Sequence, residues 1–210
     1  MYVPEVNVVD DPGVVLGLLR AAGVGHLVSI GDAGFESTVL PFLVDDTLTC
    51  GRAHVARANP QWRDLDAHPA LLIVPVTDAY VSPSWYPSKA DDPRVVPTWN
   101  YEVVHVHATV RVHDDPGFVR QVVADLTELN EASRVAASPT PPAWSIDDAP
   151  SDFIDRQLRA IVGLELSIDS VVAKRKLSQN RTDADREGVI TGLRNTPMHR
   201  NETISDAMTT

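Results

Sequence analysis

The segment 103–113 constrains the fold more tightly than any other stretch. Val104, Val106, Ala108, Val110 and Val112 alternate there with His105, His107, Thr109, Arg111 and His113. Strand side chains point to opposite faces with a period of two, so this run predicts a half-buried strand, apolar inward and polar outward. The continuous apolar run from Ala70 to Val76 predicts a strand buried on both faces. Val162, Leu164, Leu166 and Ile168 alternate as another. Residues 25–30, 36–44 and 47–50 also read as strands. Gly31-Asp32-Ala33-Gly34 turns the first, and Asp45-Asp46 joins the other two as a hairpin.

Helical signals surround these runs. Asp11-Pro12-Gly13 ahead of Val14, Val15, Leu16, Leu18 and Leu19 predicts a capped helix ending at Ala21-Ala22-Gly23. Asp114-Asp115-Pro116 opens a second, running to about Leu129, with Phe118, Val122 and Leu126 at helical spacing. Residues 57–68, 150–160 and 183–194 also read as helices. Pro139, Pro141 and Pro142 make 138–149 a loop. Six or seven strands without strict strand–helix alternation argue against a parallel dinucleotide-binding sheet. The expectation is a mainly β, antiparallel barrel with peripheral helices, one domain over 1–195. Residues 196–210, polar and aperiodic, are expected to be a disordered tail.

Composition narrows the function. No run of about eighteen apolar residues exists, so no membrane span is expected. Met1-Tyr2-Val3-Pro4-Glu5 shows no secretory signal, and Cys50 is the only cysteine, which together suggest a cytoplasmic protein. The net charge of −11 argues against a broad phosphate-tracking surface. The charge is uneven, however. Residues 1–50 hold one base against seven acids, whereas 174–200 hold seven bases against three acids. Such a group either solvates one face or holds a small anion, and composition leaves both open.

Three segments are dense in residues that core packing would not select: His54-Val55-Ala56-Arg57-Ala58-Asn59-Pro60-Gln61-Trp62; Tyr80-Val81-Ser82-Pro83-Ser84-Trp85-Tyr86-Pro87 with Val96-Pro97-Thr98-Trp99-Asn100-Tyr101; and Lys174-Arg175-Lys176-Leu177-Ser178-Gln179-Asn180. Rings beside Arg, Ser and Asn donors suit a flat, phosphorylated ligand, since cations offset phosphate charge and an indole covers a ring. Proline-stiffened structural turns are the competing reading. His105 and His107 share a strand face, but no cysteine or acid completes a metal site, and no metal is expected. No glycine-rich phosphate loop is present.

These segments, in this order and together with Leu40-Pro41-Phe42 and Asp45, resemble the PaiB-type family, often labelled FMN-binding negative transcriptional regulators. The resemblance runs from Met1-Tyr2 and Pro4 to about Leu193. It implies an FMN-binding split β-barrel of the pyridoxamine-phosphate-oxidase type, usually a homodimer with FMN in a groove at the subunit interface. Two positions depart from the family pattern: Ala53 stands where a glycine is usual, and Val39 where a histidine is frequent. Beyond the resemblance, Arg57 and Lys176 are the candidates for the phosphate, with Asn59 and Ser178 as donors. The backbone from Thr38 through Leu40 to Pro41 would edge the ring. Trp85 or Trp99, from the same or the partner subunit, would cover it, and His54 would meet the ribityl chain or fix the loop. Ser82 and Gln179 complete the candidate set.

Three functions compete. The family label implies regulation through DNA, which the net charge supports little and which no basic helix-turn-helix accompanies. An FMN-dependent oxidoreductase on a small substrate is the second. A barrel that has lost its ligand is the third, suggested by Val39 and Ala53.

Overall fold

The computed structural model describes residues 1–32, 34–198 and 200–209. The turn expected at 31–34 is there, although Ala33 itself lies outside the described residues. So do His199 and Thr210 of the expected tail. The chain divides into two compact units, each assembled from separate stretches. The first comprises Met1–Ala22, Val74–His105 and Val172–Thr210; the second comprises Gly23–Ile73 and Val106–Val171.

Seven strands are assigned among the described residues: β1 (Val8–Val9), β2 (Val24–Gly31), β3 (Gly34–Val44), β4 (Cys50–Ala56), β5 (Pro69–Val81), β6 (Thr98–His113) and β7 (Ile161–Lys176). Five α-helices accompany them: α1 (Pro12–Ala22), α2 (Pro116–Ala137), α3 (Ser151–Leu158), α4 (Asp183–Asn195) and α5 (Asn201–Ala207). The strands hydrogen-bond in the order β1-β7-β4-β3-β2-β5-β6, and β7 also pairs with β6. The pairings whose register is defined are antiparallel. The ladder order therefore returns on itself, with β1 added beside β7.

In the second unit, β2 and β3 form a hairpin whose partners run from Val24↔Pro41 to Gly31↔Gly34. The alternation of β6 appears as read: Val104, Val106, Ala108 and Val110 are essentially inaccessible. Leu27, Leu72, Leu164 and Leu166 supply further core in this unit, with Val119, Ile146, Ile154 and Leu158 packed beside α2 and α3. In the first unit, Ala79, Val81, Tyr86, Leu177, Val189, Ile190, Leu193, Ile204 and Met208 form a separate cluster.

Several expectations need correction. The helix over 57–68 is only a 3₁₀ turn, Pro60–Asp64, capped by Asn59 and closed by Ala67 in the left-handed region at φ 60°. The second hairpin strand lies at 50–56 rather than 47–50. The Asp45 carboxylate accepts from Thr47, Thr49 and the Cys50 amide, and so claims 45–49 for the turn. Burial alone would raise that carboxyl, but these bonds outweigh it and hold it well below the usual carboxylate range. Cys50 is half-buried rather than part of the closed core. The expected tail folds as α5, because Ile204 and Met208, one helical turn apart, sink into the first unit's cluster.

Candidate functional site

The second unit brings Thr38 and Asn59 together through a residue that sequence reading passed over. Asn59 Nδ2 donates to Thr38 Oγ1 at 2.7 Å, and Thr38 Oγ1 donates to Gln61 Oε1 at 2.5 Å. Gln61, 2% exposed, donates onward to the Leu27 carbonyl at 3.1 Å and to Ser29 Oγ at 2.9 Å. Asn59 also caps the 3₁₀ turn by accepting from the Gln61 amide. A buried amide must satisfy its donors and acceptor, and this network does so internally. The only prior signal was the Asn-Pro-Gln order of an N-cap followed by a first-turn proline.

Arg57 is likewise engaged. Its guanidinium donates to both Asp114 oxygens at 2.5 and 3.2 Å, and to the carbonyls of Arg159 at 2.8 Å and Ile161 at 3.1 Å. The hydrogen bond to Asp114 raises the guanidinium and lowers the carboxyl from their ordinary values. Little donor capacity is left for a phosphate.

Two features of this unit stay open. His54, on β4 opposite Gly163, keeps a buried Nδ1 with no hydrogen-bond partner. Burial lowers its imidazole below the ordinary 6.5. Thr38 to Pro41 pair with β2, whereas the β4 ladder covers only Phe42–Val44. Leu40 itself is buried.

The first unit holds the remaining candidates. Ser82 Oγ accepts from the Ser84 amide and caps the turn Pro83–Trp85. Trp85 lies against α4. A Cβ on Gly192 would sit 2.3 Å from the indole, and one on Gly188 would sit 2.1 Å from the Trp85 carbonyl oxygen. Trp99, by contrast, is 53% exposed, and Tyr80 meets it edge-on at 5.9 Å.

Lys176 meets the backbone of the same residue, its ammonium donating to Thr98 Oγ1 at 2.5 Å and to the Trp99 carbonyl at 2.6 Å. Lys174, buried, donates to the Tyr2 carbonyl at 3.2 Å and lies 5.1 Å from the Tyr101 ring centroid. Arg181 lies 4.5 Å over the Tyr86 ring. Among the described residues, none of these three cations forms an ion pair with a carboxylate. Burial lowers the Lys176 ammonium, and the charges of Lys174 and Arg181 lower it further. Arg175 is the exception in this segment, paired with the buried Glu102. Ser178, also buried, donates to Asn100 Oδ1 at 3.1 Å. Gln179 closes the turn on itself, accepting from the Leu177 amide and donating to the Arg175 carbonyl.

A clustered cationic group with neutral acceptors, beside an exposed indole, has the donor set of a phosphate site with a ring platform. Comparison with known proteins agrees. The family model described as "Putative FMN-binding domain" matches residues 1–170. The chain belongs to this family. Its cofactor is accordingly FMN. Among curated relatives of the family, protease synthase and sporulation protein PAI 2 of Bacillus subtilis is 29% identical over 93% of this chain and 90% of its own length. An uncharacterized protein of Aspergillus fumigatus is 30% identical over 75% of this chain and 76% of its own. Among solved structures, the flavocytochrome Anf3 of Azotobacter vinelandii superposes with a TM-score of 0.56 at 15% identity, over 82% of this chain and 68% of that one. A conserved hypothetical protein of Mycobacterium tuberculosis reaches 0.58 at 11% identity, over 86% and 92%. At such identities the likeness is one of fold: the antiparallel split barrel expected from sequence. No described helix is long and apolar enough to cross a membrane.

Proposed function

We propose that this protein works as a homodimeric, FMN-binding regulator, with the phosphate held by Lys176, Lys174 and Arg181 rather than by Arg57. The cationic cluster carries this reading. Three positive groups drawn together without a carboxylate partner repel one another, and a bound dianion relieves that cost. Trp99, not Trp85, is the ring face available to a ligand, because Trp85 is committed to α4. FMN would supply redox-active or light-absorbing chemistry; the chain would supply charge, position and a partner surface.

The dimer is supported by the outer face of the β2–β3 hairpin. Val24, Ile30, Phe35 and Val39 all project there, with Phe35 82% exposed and paired across the strands with Ile30. Exposed apolar side chains gathered on one sheet face, with Ile30 opposite Phe35, are the kind of patch that marks a protein interface.

The regulatory role leans on the family label and on the name of the Bacillus subtilis relative, which links that protein to protease synthesis and sporulation. The test begins with visible absorption of the purified protein after adding FMN and removing excess. Retained flavin absorbance is expected, and a colourless protein would sink the cofactor assignment. Salt-dependent retardation of DNA then separates the roles: no binding even at low salt removes direct DNA regulation. The exposed Tyr80–Trp99 pair beside Lys176 favours, as a second reading, an oxidoreductase that accepts another ring-bearing substrate. Anaerobic reduction of the bound flavin by a nicotinamide donor would support that reading, and its failure would count against it.

A further inference from the structure

Ser178 adopts a left-handed backbone at φ 61° although it is not glycine. Such a conformation persists only where neighbours impose it. Its hydroxyl reaches Asn100, which is fully buried, and Asn100 Nδ2 in turn donates to Met208 Sδ at 3.4 Å. Met208 and Ile204 pack in the same apolar cluster as Leu177, the residue between Lys176 and Ser178. Three further ties hold this C-terminal segment in place. Arg186 donates to the Met208 carbonyl at 3.0 Å, Arg200 pairs with Asp78 at 2.6 Å, and Arg194 faces Asp206 at 3.6 Å. All of these residues belong to the first unit.

We propose that α5 is a positioning element for the cationic turn: by packing on Leu177 and anchoring Asn100, it holds Ser178 left-handed and so fixes where the Lys176 ammonium points. The inference rests on the phosphate reading for its meaning in function, but its physical content is independent of it. The matching family model ends at residue 170, so α5 and the turn it holds lie beyond the matched region. Met208 and Ile204 touch no proposed ligand group; they act through Asn100 and Leu177.

Hydrogen exchange followed by mass spectrometry on the full chain tests this without flavin. Met208→Ala should raise exchange across Leu177–Asn180 by about tenfold while the β2–β3 hairpin stays as protected as before. Met208→Leu, which keeps apolar volume and removes the sulfur acceptor, should give a smaller rise in the same place, and it serves if the alanine variant folds poorly. In a Ser178→Gly background the rise should shrink, because glycine takes a positive φ without help. Unchanged exchange in the turn, or an equal rise in the hairpin, would overturn the inference. Flavin titration then separates the two proposals. Met208→Ala should weaken FMN by about tenfold yet leave riboflavin, which lacks the phosphate, unaffected. A wild-type chain that binds no FMN would remove the phosphate reading while leaving the exchange result to decide the role of α5.

Discussion

Arg57 and Lys176 carry the same charge and looked equivalent in the sequence, each in a polar string with serine or asparagine nearby. Their surroundings differ in kind. Arg57 meets a carboxylate, Asp114, and two backbone carbonyls, so four of its five donors are engaged in holding β4 to Asp114 and the segment around 159–161. Lys176 meets only a hydroxyl and a carbonyl, with two more cations close enough to depress its ammonium. The tryptophans divide the same way: Trp85 is pressed onto glycines of α4, and Trp99 is open. Residue type names the candidates for a site, but the partners of each side chain decide whether it serves the fold or a ligand.

The sharpest way to break this contrast is at α4. Gly188→Ala places a Cβ within 2.1 Å of the Trp85 carbonyl oxygen, so backbone must move. A loss of about 3 kcal/mol in denaturant unfolding is expected, and an unchanged midpoint would mean Trp85 is not committed to the fold. Lys176→Met should weaken FMN by roughly 10–100-fold in a fluorescence titration, the worth of a charge-assisted bond to phosphate, while leaving thermal stability nearly unaltered. Weakened binding should also appear in the wild type as pH rises, at values below the usual lysine range, because the depressed Lys176 ammonium loses its proton earlier. His54 offers a smaller effect with a definite sign. Its folded imidazole titrates below the unfolded 6.5, so the unfolded chain binds more protons as pH falls through that region, and stability declines there. His54→Gln should flatten the melting-temperature profile on the acid side of pH 6.5. The mildest change is Arg57→Met: a modest fall in melting temperature with FMN affinity held within about twofold, since the exposed ion pair with Asp114 contributes little. If the arginine variant instead lost FMN and the lysine variant kept it, the contrast would be reversed.

Much of the barrel was legible because strands announce themselves by alternation. The inward valines of β6 needed no knowledge of their partners, whereas the apolar run in β5 gave a strand but not the two buried faces expected of it: Ala70, Leu72 and Val74 are buried, Leu71, Ile73 and Val76 only half-buried, and Pro75 is exposed. The capped start of α1 was also local, with Asp11 Oδ1 accepting from the Gly13 and Val14 amides. What could not be read was set by distant residues. Asp114 neutralises Arg57 from far along the chain, and Gln61 absorbs Thr38 and Asn59 into a closed network. The helix in the supposed tail shows the same limit. Ile204 and Met208 are too few to make a periodic pattern, and only a cluster built from β5, α4 and Leu177 gives them a place to pack. Composition thus named the candidate residues, and their partners were set by parts of the chain far from them.

The pairing of β1 with β7, Val8 opposite Lys174 and Val9 opposite Ala173, ties the first described strand to the last. Loop-closure entropy has to be overcome before such a distant contact contributes anything. During synthesis β1 emerges long before its ladder partner, and its residues wait without one until β7 has left the ribosome. The lysines that β7 carries, and Tyr2 that accepts from one of them, therefore come together late. A nascent chain of this protein would acquire its proposed grip on an anion only after β7 and the turn behind it have been made.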